Sequence, residues 1–408
     1  MNRPTSEFTT SYYLNDHIRF QEIETMKSCI RCFCVSDIHA DGPHALNWIK
    51  AHCQRAHNEE NAFTVMIIPG DIGNSPEKVQ KILLQLAAVY DAVCYLPGNH
   101  EAWVVKDNDL GNSFDQLNLI LSNARSIGVH VGPLRIVCKA SESVDVNPAA
   151  VVIMPLYAWY HSNWDTEVDI LTNPSYLEYR KLNDFSSLWS DFSFCKWPSS
   201  LVSKQDFIDL YGQSTSLAEH FARINEPFLY PICNDDRDIA EIIPSDMKPH
   251  SPIVKDNDTV ISFSHFLPRI ELLPEKRFLY EPLLAKVVGS NALERQVRRL
   301  QPHLHLFGHT HIPIDLTLDG IRYVQWPLGY AREATAQCSK IFSSGPLLVY
   351  DSRLGSGPGG LPPNMTSLDT HWSKYYRESS RDESQMEDLA PWVMTYLQSK
   401  IDKAKSLD

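Results

Sequence analysis

The sequence of 408 residues predicts an α/β fold whose chemistry sits at strand ends. Three observations lead there. Short apolar runs without polar alternation recur, as strands buried on both faces require. Segments with helical spacing lie between the early runs. Each run also opens into turn-forming text that carries Asp, Asn or His.

The first run is CIRCFCVS, residues 29–36. PHALNWIKAHCQRAH follows, with Leu46, Ile49 and Cys53 at helical spacing. AFTVMIIPGD is the second strand. SPEKVQKILLQLAAVY is a helix, with Ser75 as cap and Pro76 in the first turn. AVCYLPGNH is the third strand, and SFDQLNLILSNARSIG a helix closed by Gly128. This alternation predicts one parallel sheet, covered on both faces, over the first 140 residues. After AAVVIMPL (149–156) the pattern breaks, and residues 157–257 read as an insertion rich in Trp, Tyr, Asp, Asn and Pro. Strands return in DTVISFSHF (258–266) and HLHLFGH (303–309). PIDLTLDGIRYVQWP reads as a hairpin turning at Asp319–Gly320, and GPLLVYDS as a last strand. The expected organisation is an arm over 1–28, a domain over 29–352 that contains the insertion, and a tail over 353–408. In that tail, 353–385 reads as flexible linker and DLAPWVMTYLQSKIDKAK as an amphipathic helix.

The net charge of -13 argues against a general nucleic-acid binder and against tracking of an extended strand. Nine scattered cysteines read as free thiols in a reducing compartment. The N-terminal text shows no apolar signal region, and no run reaches membrane-spanning length. A cytoplasmic protein is expected, with an organelle left open.

The strand ends carry a specific set. The first presents Asp37 and His39, the second Asp71, and the third Asn99, His100 and Glu101. The later two present His265, and His309 with His311. Ligands of open α/β sheets bind beyond the carboxyl ends of strands, so these segments should converge. An oxygen and nitrogen set without thiolate suits Mn, Fe or Zn. Seven side chains exceed one ion's needs, whereas a bridging carboxylate serves two. Two ions about 3.5–4 Å apart can generate a hydroxide and clamp an in-line displacement at phosphorus.

The order D-x-H, G-D, G-N-H-E, H and G-H-x-H resembles the calcineurin-like metallophosphoesterase superfamily, over roughly 37–311. Phrases such as WYH (159–161), CKWP (195–198), FSHFLPR (263–269) and LDGIRYVQ (318–325) also resemble a branch found in plants and algae. The resemblance implies that superfamily's α/β fold: mixed sheets flanked by helices, with the active site at strand carboxyl ends. It implies two divalent ions. Asp37, His39 and His311 would hold one, Asn99, His265 and His309 the other, and Asp71 would bridge. His100 would act at the leaving oxygen, with Glu101 behind it orienting His100 or the Asn99 loop. The implied activity is hydrolysis of a phosphate mono- or diester by a hydroxide shared between the metals. A small phosphorylated metabolite or nucleotide is the leading substrate. A phosphoprotein phosphatase and a non-catalytic scaffold of the same fold are the alternatives. GDIGNSPEK lacks the arginine of the D-R-G signature that protein phosphatases of the superfamily carry.

Other residues read differently. His303 and His305 are expected to pack inside a buried strand, with Gly308 letting the backbone turn before His309. His44, His52, His57 and His130 receive no role, and Cys29-x-x-Cys32 reads as strand rather than ligand pair. Arg295, Arg298 and Arg299 read as a solvated helix face. Trp159, Tyr160 and His161 are balanced between core and pocket wall. Arg269, with Lys276 and Arg277, is balanced between phosphate contact and ordinary ion pairing.

Overall fold

The computed structural model describes residues 14, 17–55, 61–104, 111–139, 150–198, 215–229, 253–333, 344–365 and 381–406. Most of the expected arm, parts of the insertion and of the linker, His57, Cys233 and Cys338 lie outside the described residues.

Two mixed sheets share one hydrophobic core. The smaller contains β2 (Cys29–Cys34), β3 (Ala62–Pro69) and β4 (Ala92–Leu96), all parallel, with β11 (Leu347–Asp351) antiparallel on β2. The larger has the order β1-β5-β6-β7-β8-β10-β9. Its members are β1 (Gln21–Thr25), β5 (Leu134–Cys138), β6 (Ala150–Pro155), β7 (Thr259–Phe263), β8 (Leu304–Phe307), β9 (Ile314–Leu318) and β10 (Ile321–Gln325). The single early parallel sheet is therefore corrected. Strand β5 leaves the first three and pairs with β1 and, antiparallel, with β6. Apolar runs mark burial on both faces but do not say which sheet buries them. All five residues of β4, β5 and β7 are buried.

Helices α1 (Pro43–Arg55), α2 (Pro76–Ala87) and α3 (Ser113–Ser126) follow β2, β3 and β4. In α2, Val79, Ile82, Leu83 and Leu86 repeat every three or four residues and form its buried stripe. The Asn112 side chain accepts from Phe114 and Asp115 N–H and caps α3. The β9–β10 hairpin turns at Asp319–Gly320 as expected, both at positive φ (48° and 82°), which a two-residue type I′ turn demands.

Within 157–257 lie α4 (Pro174–Leu182), α5 (Phe185–Leu188), α6 (Asp191–Phe194) and a helix at Thr215–Leu229. The C-terminal helix Pro391–Lys405 buries Val393, Leu397 and Ile401, a stripe at four-residue spacing, and packs against α4.

The described parts of the tail are tied down rather than free. Gly357 N–H donates to Thr259 Oγ1 at 2.9 Å, and Met365 N–H to Asp315 Oδ2 at 2.6 Å. Arg381 pairs with Glu167, and Asp382 N–H donates to Glu275 Oε1 at 3.0 Å. The Glu387 carboxylate accepts from the N–H groups of Leu171 (2.9 Å) and Asn173 (3.1 Å), at the start of α4. Beneath them, Lys276 Nζ is buried between Asp165 (2.7 Å) and Asp169 (2.8 Å), and Lys286 shares both carboxylates. Composition reported polarity there; the partners that absorb it lie more than 100 residues away in sequence.

Breaking a buried ion pair strands the remaining charge. Lys276→Ala should therefore destabilise the chain by about 3 kcal/mol, with Lys286 limiting the loss. Chemical denaturation of variant and wild type measures it.

Candidate metal centre

Sheet register brings the strand ends together. Cys34 lies beside Ile67, and Pro69 beside Leu96, so the segments after β2, β3 and β4 emerge side by side. Asp37 N–H donates to Gly70 O at 3.2 Å, and His39 N–H to Asp71 O at 3.0 Å. Phe263 lies beside Leu306 in the other sheet, which aligns His265 with the segment after β8. The sheets meet here: His265 Nδ1 lies 2.9 Å from Pro69 O.

Five residues of the expected set adopt left-handed backbone: Asp37 (φ 52°), His39 (47°), Asp71 (55°), His309 (78°) and His311 (54°). Non-glycine residues rarely do so, and the cost is of order 1–3 kcal/mol each. The turns aim these side chains off the strand ends at one point. The glycines beside them serve close approach. A Cβ at Gly98 would lie 2.2 Å from Asp71 Oδ1. One at Gly308 would lie 2.8 Å from Pro69 O and 2.9 Å from Asp37 Oδ2. Gly308 was expected to free the backbone for a turn. It instead leaves room where the two sheets nearly touch, and the turning is done by His309 and His311.

The expected set forms two groups. In one, His39 Nε2 faces His311 Nε2 at 2.8 Å, with Asp37 Oδ1 3.6 Å from His311 Nε2. In the other, His265 Nε2 lies 3.1 Å from His309 Nδ1, and Asn99 Oδ1 is 3.0 Å from each. Asp71 Oδ2 stands between them, 3.4 Å from His265 Nε2, 3.9 Å from His39 Nε2 and 3.8 Å from His100 Nε2. His100 thus also offers a nitrogen to the group of His39 and Asp71.

The donor set fits cations. Carbonyl oxygens of Pro69 and Val287 take the ring N–H groups of His265 and His309, which leaves one lone pair of each turned inward. Burial, then the charge of His311, holds His39 well below the usual histidine range. Burial and His265 do the same to His309. Burial pushes the Asp37 carboxyl up. Against burial, Asp71 pushes His265 up to about 9, and Asp37 and Glu333 push His311 up. Imidazoles and buried carboxylates whose ligand atoms crowd within 4.8 Å in each group of three are the arrangement a divalent ion stabilises, in place of those protons.

Glu101 holds the loops together. Its buried carboxylate accepts from the backbone N–H groups of Asp71 (3.1 Å), Ile72 (2.7 Å), Gly73 (3.1 Å) and Gly98 (2.7 Å). Burial and then Asp71 push its carboxyl up to about 8. Its contacts are to the Asn99 loop and to the Asp71 loop as well, a wider role than sequence assigned.

Three residues at the cluster escaped sequence reading. Glu333 Oε2 lies 2.7 Å from His311 Nδ1, which turns His311 Nε2 inward. The Tyr330 ring stacks on His39 at 4.3 Å, and its hydroxyl is 3.4 Å from His100 Nε2. Asp191 bonds Asn99 Nδ2 at 2.8 Å. No motif marks them; the one available signal was that Tyr330 and Glu333 follow the end of β10, beside β8, after which His309 and His311 emerge.

The balanced residues resolve by position. Trp159 is buried among Trp197, Phe221 and Phe266. Tyr160 is buried and stacks at 6.5 Å on His309, while His161 Nδ1 accepts from Asn163 N–H. Arg269 is not brought to the cluster: its guanidinium pairs with Glu271 and Asp319. Lys276 and Arg277 are buried in the ion network and packing under the tail. His305 is a core histidine as expected, bonded to Ser262 and Ser264 and pushed by burial down to about 3. His303 differs. It precedes β8, half-buried, and its Nδ1 accepts from Val260 N–H at the start of β7.

Residues 30–313 match the model of the calcineurin-like phosphoesterase family, and the chain belongs to that family. That makes metal-dependent phosphoester hydrolysis its general chemistry. A comparison with curated proteins returns no match. Among solved structures, the chain is similar to the phosphopantetheinyl hydrolase of Mycobacterium tuberculosis, with 16% identity and a TM-score of 0.50 over 76% of this chain and 92% of that one. That likeness is one of fold. A putative 5'-nucleotidase from Staphylococcus aureus aligns at 12% identity and a TM-score of 0.31, over 73% of this chain and 48% of that one. Among the described residues, no helix is long and apolar enough to cross a membrane.

Two outcomes follow from the way the site is held. Manganese should raise the melting temperature and a chelator should cancel the rise, because a divalent ion at these residues would bind only the folded chain. Glu333→Gln should weaken manganese binding about 10–100-fold, read by titration calorimetry, since it removes the carboxylate behind His311.

Proposed function

We propose that the chain hydrolyses the phosphate ester of a small phosphorylated compound, such as a metabolite or nucleotide, at a pair of divalent ions. One observation carries this reading: Asp71 Oδ2 stands between the two histidine groups, within 3.9 Å of nitrogens from both. Asp37, His39 and His311 would hold one ion, Asn99, His265 and His309 the other, and Asp71 would touch both. Manganese, iron and zinc all suit such nitrogen and oxygen donors. When bound, the ions supply an activated water and positive charge against the phosphoryl oxygens.

The chain's own residues do the rest. Asp71, fixed by Glu101 through its backbone, sets the spacing of the two groups. His100 is anchored twice. Its backbone N–H donates to Asp71 Oδ1 at 3.0 Å, and its ring lies 3.7 Å from that of Trp103. Its Nε2 faces the cluster beside the Tyr330 hydroxyl. On this reading it gives a proton to the leaving oxygen. Burial, then Asp71, pushes the Tyr330 phenol above its ordinary value, so it stays a protonated donor there.

Purified protein with manganese should hydrolyse an activated aryl phosphate, with mono- and diesters assayed side by side. A chelator and Asp71→Asn should each abolish turnover, and activity that survives both would overturn the reading. His100→Asn should cost about 10²–10⁴ in kcat with metal content unchanged, the range expected for a lost general acid.

A further inference from the structure

The insertion over 157–257 sends a buried carboxylate to the metal centre, beside the rings of Tyr160 and Trp189 that meet His309. Asp191 opens the short helix α6 and is 1% exposed. Its Oδ1 accepts from Asn99 Nδ2 at 2.8 Å and Trp103 Nε1 at 2.6 Å, and its Oδ2 from Trp189 Nε1 at 3.0 Å. All three donors are neutral. A buried carboxylate is costly, so its place here needs a reason. A neutral amide would be cheaper to bury, but it would turn an N–H₂ toward one of three N–H donors. Only an acceptor-only group satisfies all of them.

Each donor leads to a different part of the site. With its nitrogen spent on Asp191, Asn99 turns Oδ1 toward His265 Nε2 and His309 Nδ1. The Trp103 ring lies against His100. The Trp189 ring stands edge-on to His309 at 5.8 Å. The negative charge behind the amide also polarises it, which makes Oδ1 a stronger ligand.

On the two-ion reading above, we propose that Asp191 is a positioning residue. Through it the insertion fixes the Asn99 amide as a ligand of the ion held by His265 and His309, and sets the ring beneath His100. The group of Asp37, His39 and His311 does not depend on it.

The test is manganese titration of full-length Asp191→Asn by calorimetry, beside wild type and Asp184→Asn. Asp184 caps α5 from the surface of the same insertion, and asparagine caps equally well. Asp191→Asn should weaken one binding event about 10–100-fold and leave the other unchanged. Its kcat should fall at limiting metal and recover in part as manganese is raised, with KM little altered. Asp184→Asn should behave as wild type. Should Asp191→Asn fold poorly, Asp191→Glu keeps both acceptors but shifts them by a methylene, and must also disturb one event alone. Two unchanged binding events, or equal weakening of both, would overturn the proposal. Wild type that binds two ions without turnover would instead count against the hydrolytic reading and leave the role of Asp191 standing.

Discussion

Seven polar side chains gathered in a buried space lose their water and set like groups against one another, Asp37 against Asp71 and imidazole against imidazole, and the fold is organised around that cost. Asp37 and Asp71 are almost wholly buried, as are His39 and His265. Nitrogens of opposed imidazoles approach to 2.8 and 3.1 Å. Left alone, such groups would be driven apart or neutralised. Strained turns hold them in place: five of the backbones sit at positive φ, and the strands behind them are packed on both faces. A rigid core of this kind makes the turns affordable, and a divalent cation held there would relieve the repulsion between the opposed like groups.

A second layer of hydrogen bonds aims the donors. Glu101 joins the loops after β3 and β4, the Pro69 and Val287 carbonyls fix two histidine tautomers, and Glu333 fixes a third. Asp191 fixes the one amide. Each of these groups contacts a candidate ligand or its loop. That arrangement turns flexible side chains into a preformed cage.

Farther out, the polar text of the insertion and the tail is structural. The tail grips the start of α4 through Glu387 and the insertion through Arg381. The buried Lys276 beneath them ties the segment after β7 to the insertion through Asp165 and Asp169. The insertion is therefore braced on one side by the tail and on the other meets Asn99 at the metal centre.

The sequence by itself determined the strand ends, the order of the metal-centre residues along them and the β9–β10 hairpin. These depend on local signals: apolar runs, turn residues and the chemistry of Asp, Asn and His. It also separated His305 from His309, because one lies inside an apolar run and the other beyond it. Tertiary structure alone decided that β5 leaves the first sheet, that Gly308 serves contact between sheets, and that Arg269 spends its charge on Glu271 and Asp319. It also brought in Asp191, Tyr330 and Glu333. Each is an ordinary residue in its own stretch of text and acquires meaning from a partner outside that stretch, as Asp191 does from Asn99. Residue pattern encodes what a segment can offer. Strand register and packing between sheets determine what it meets.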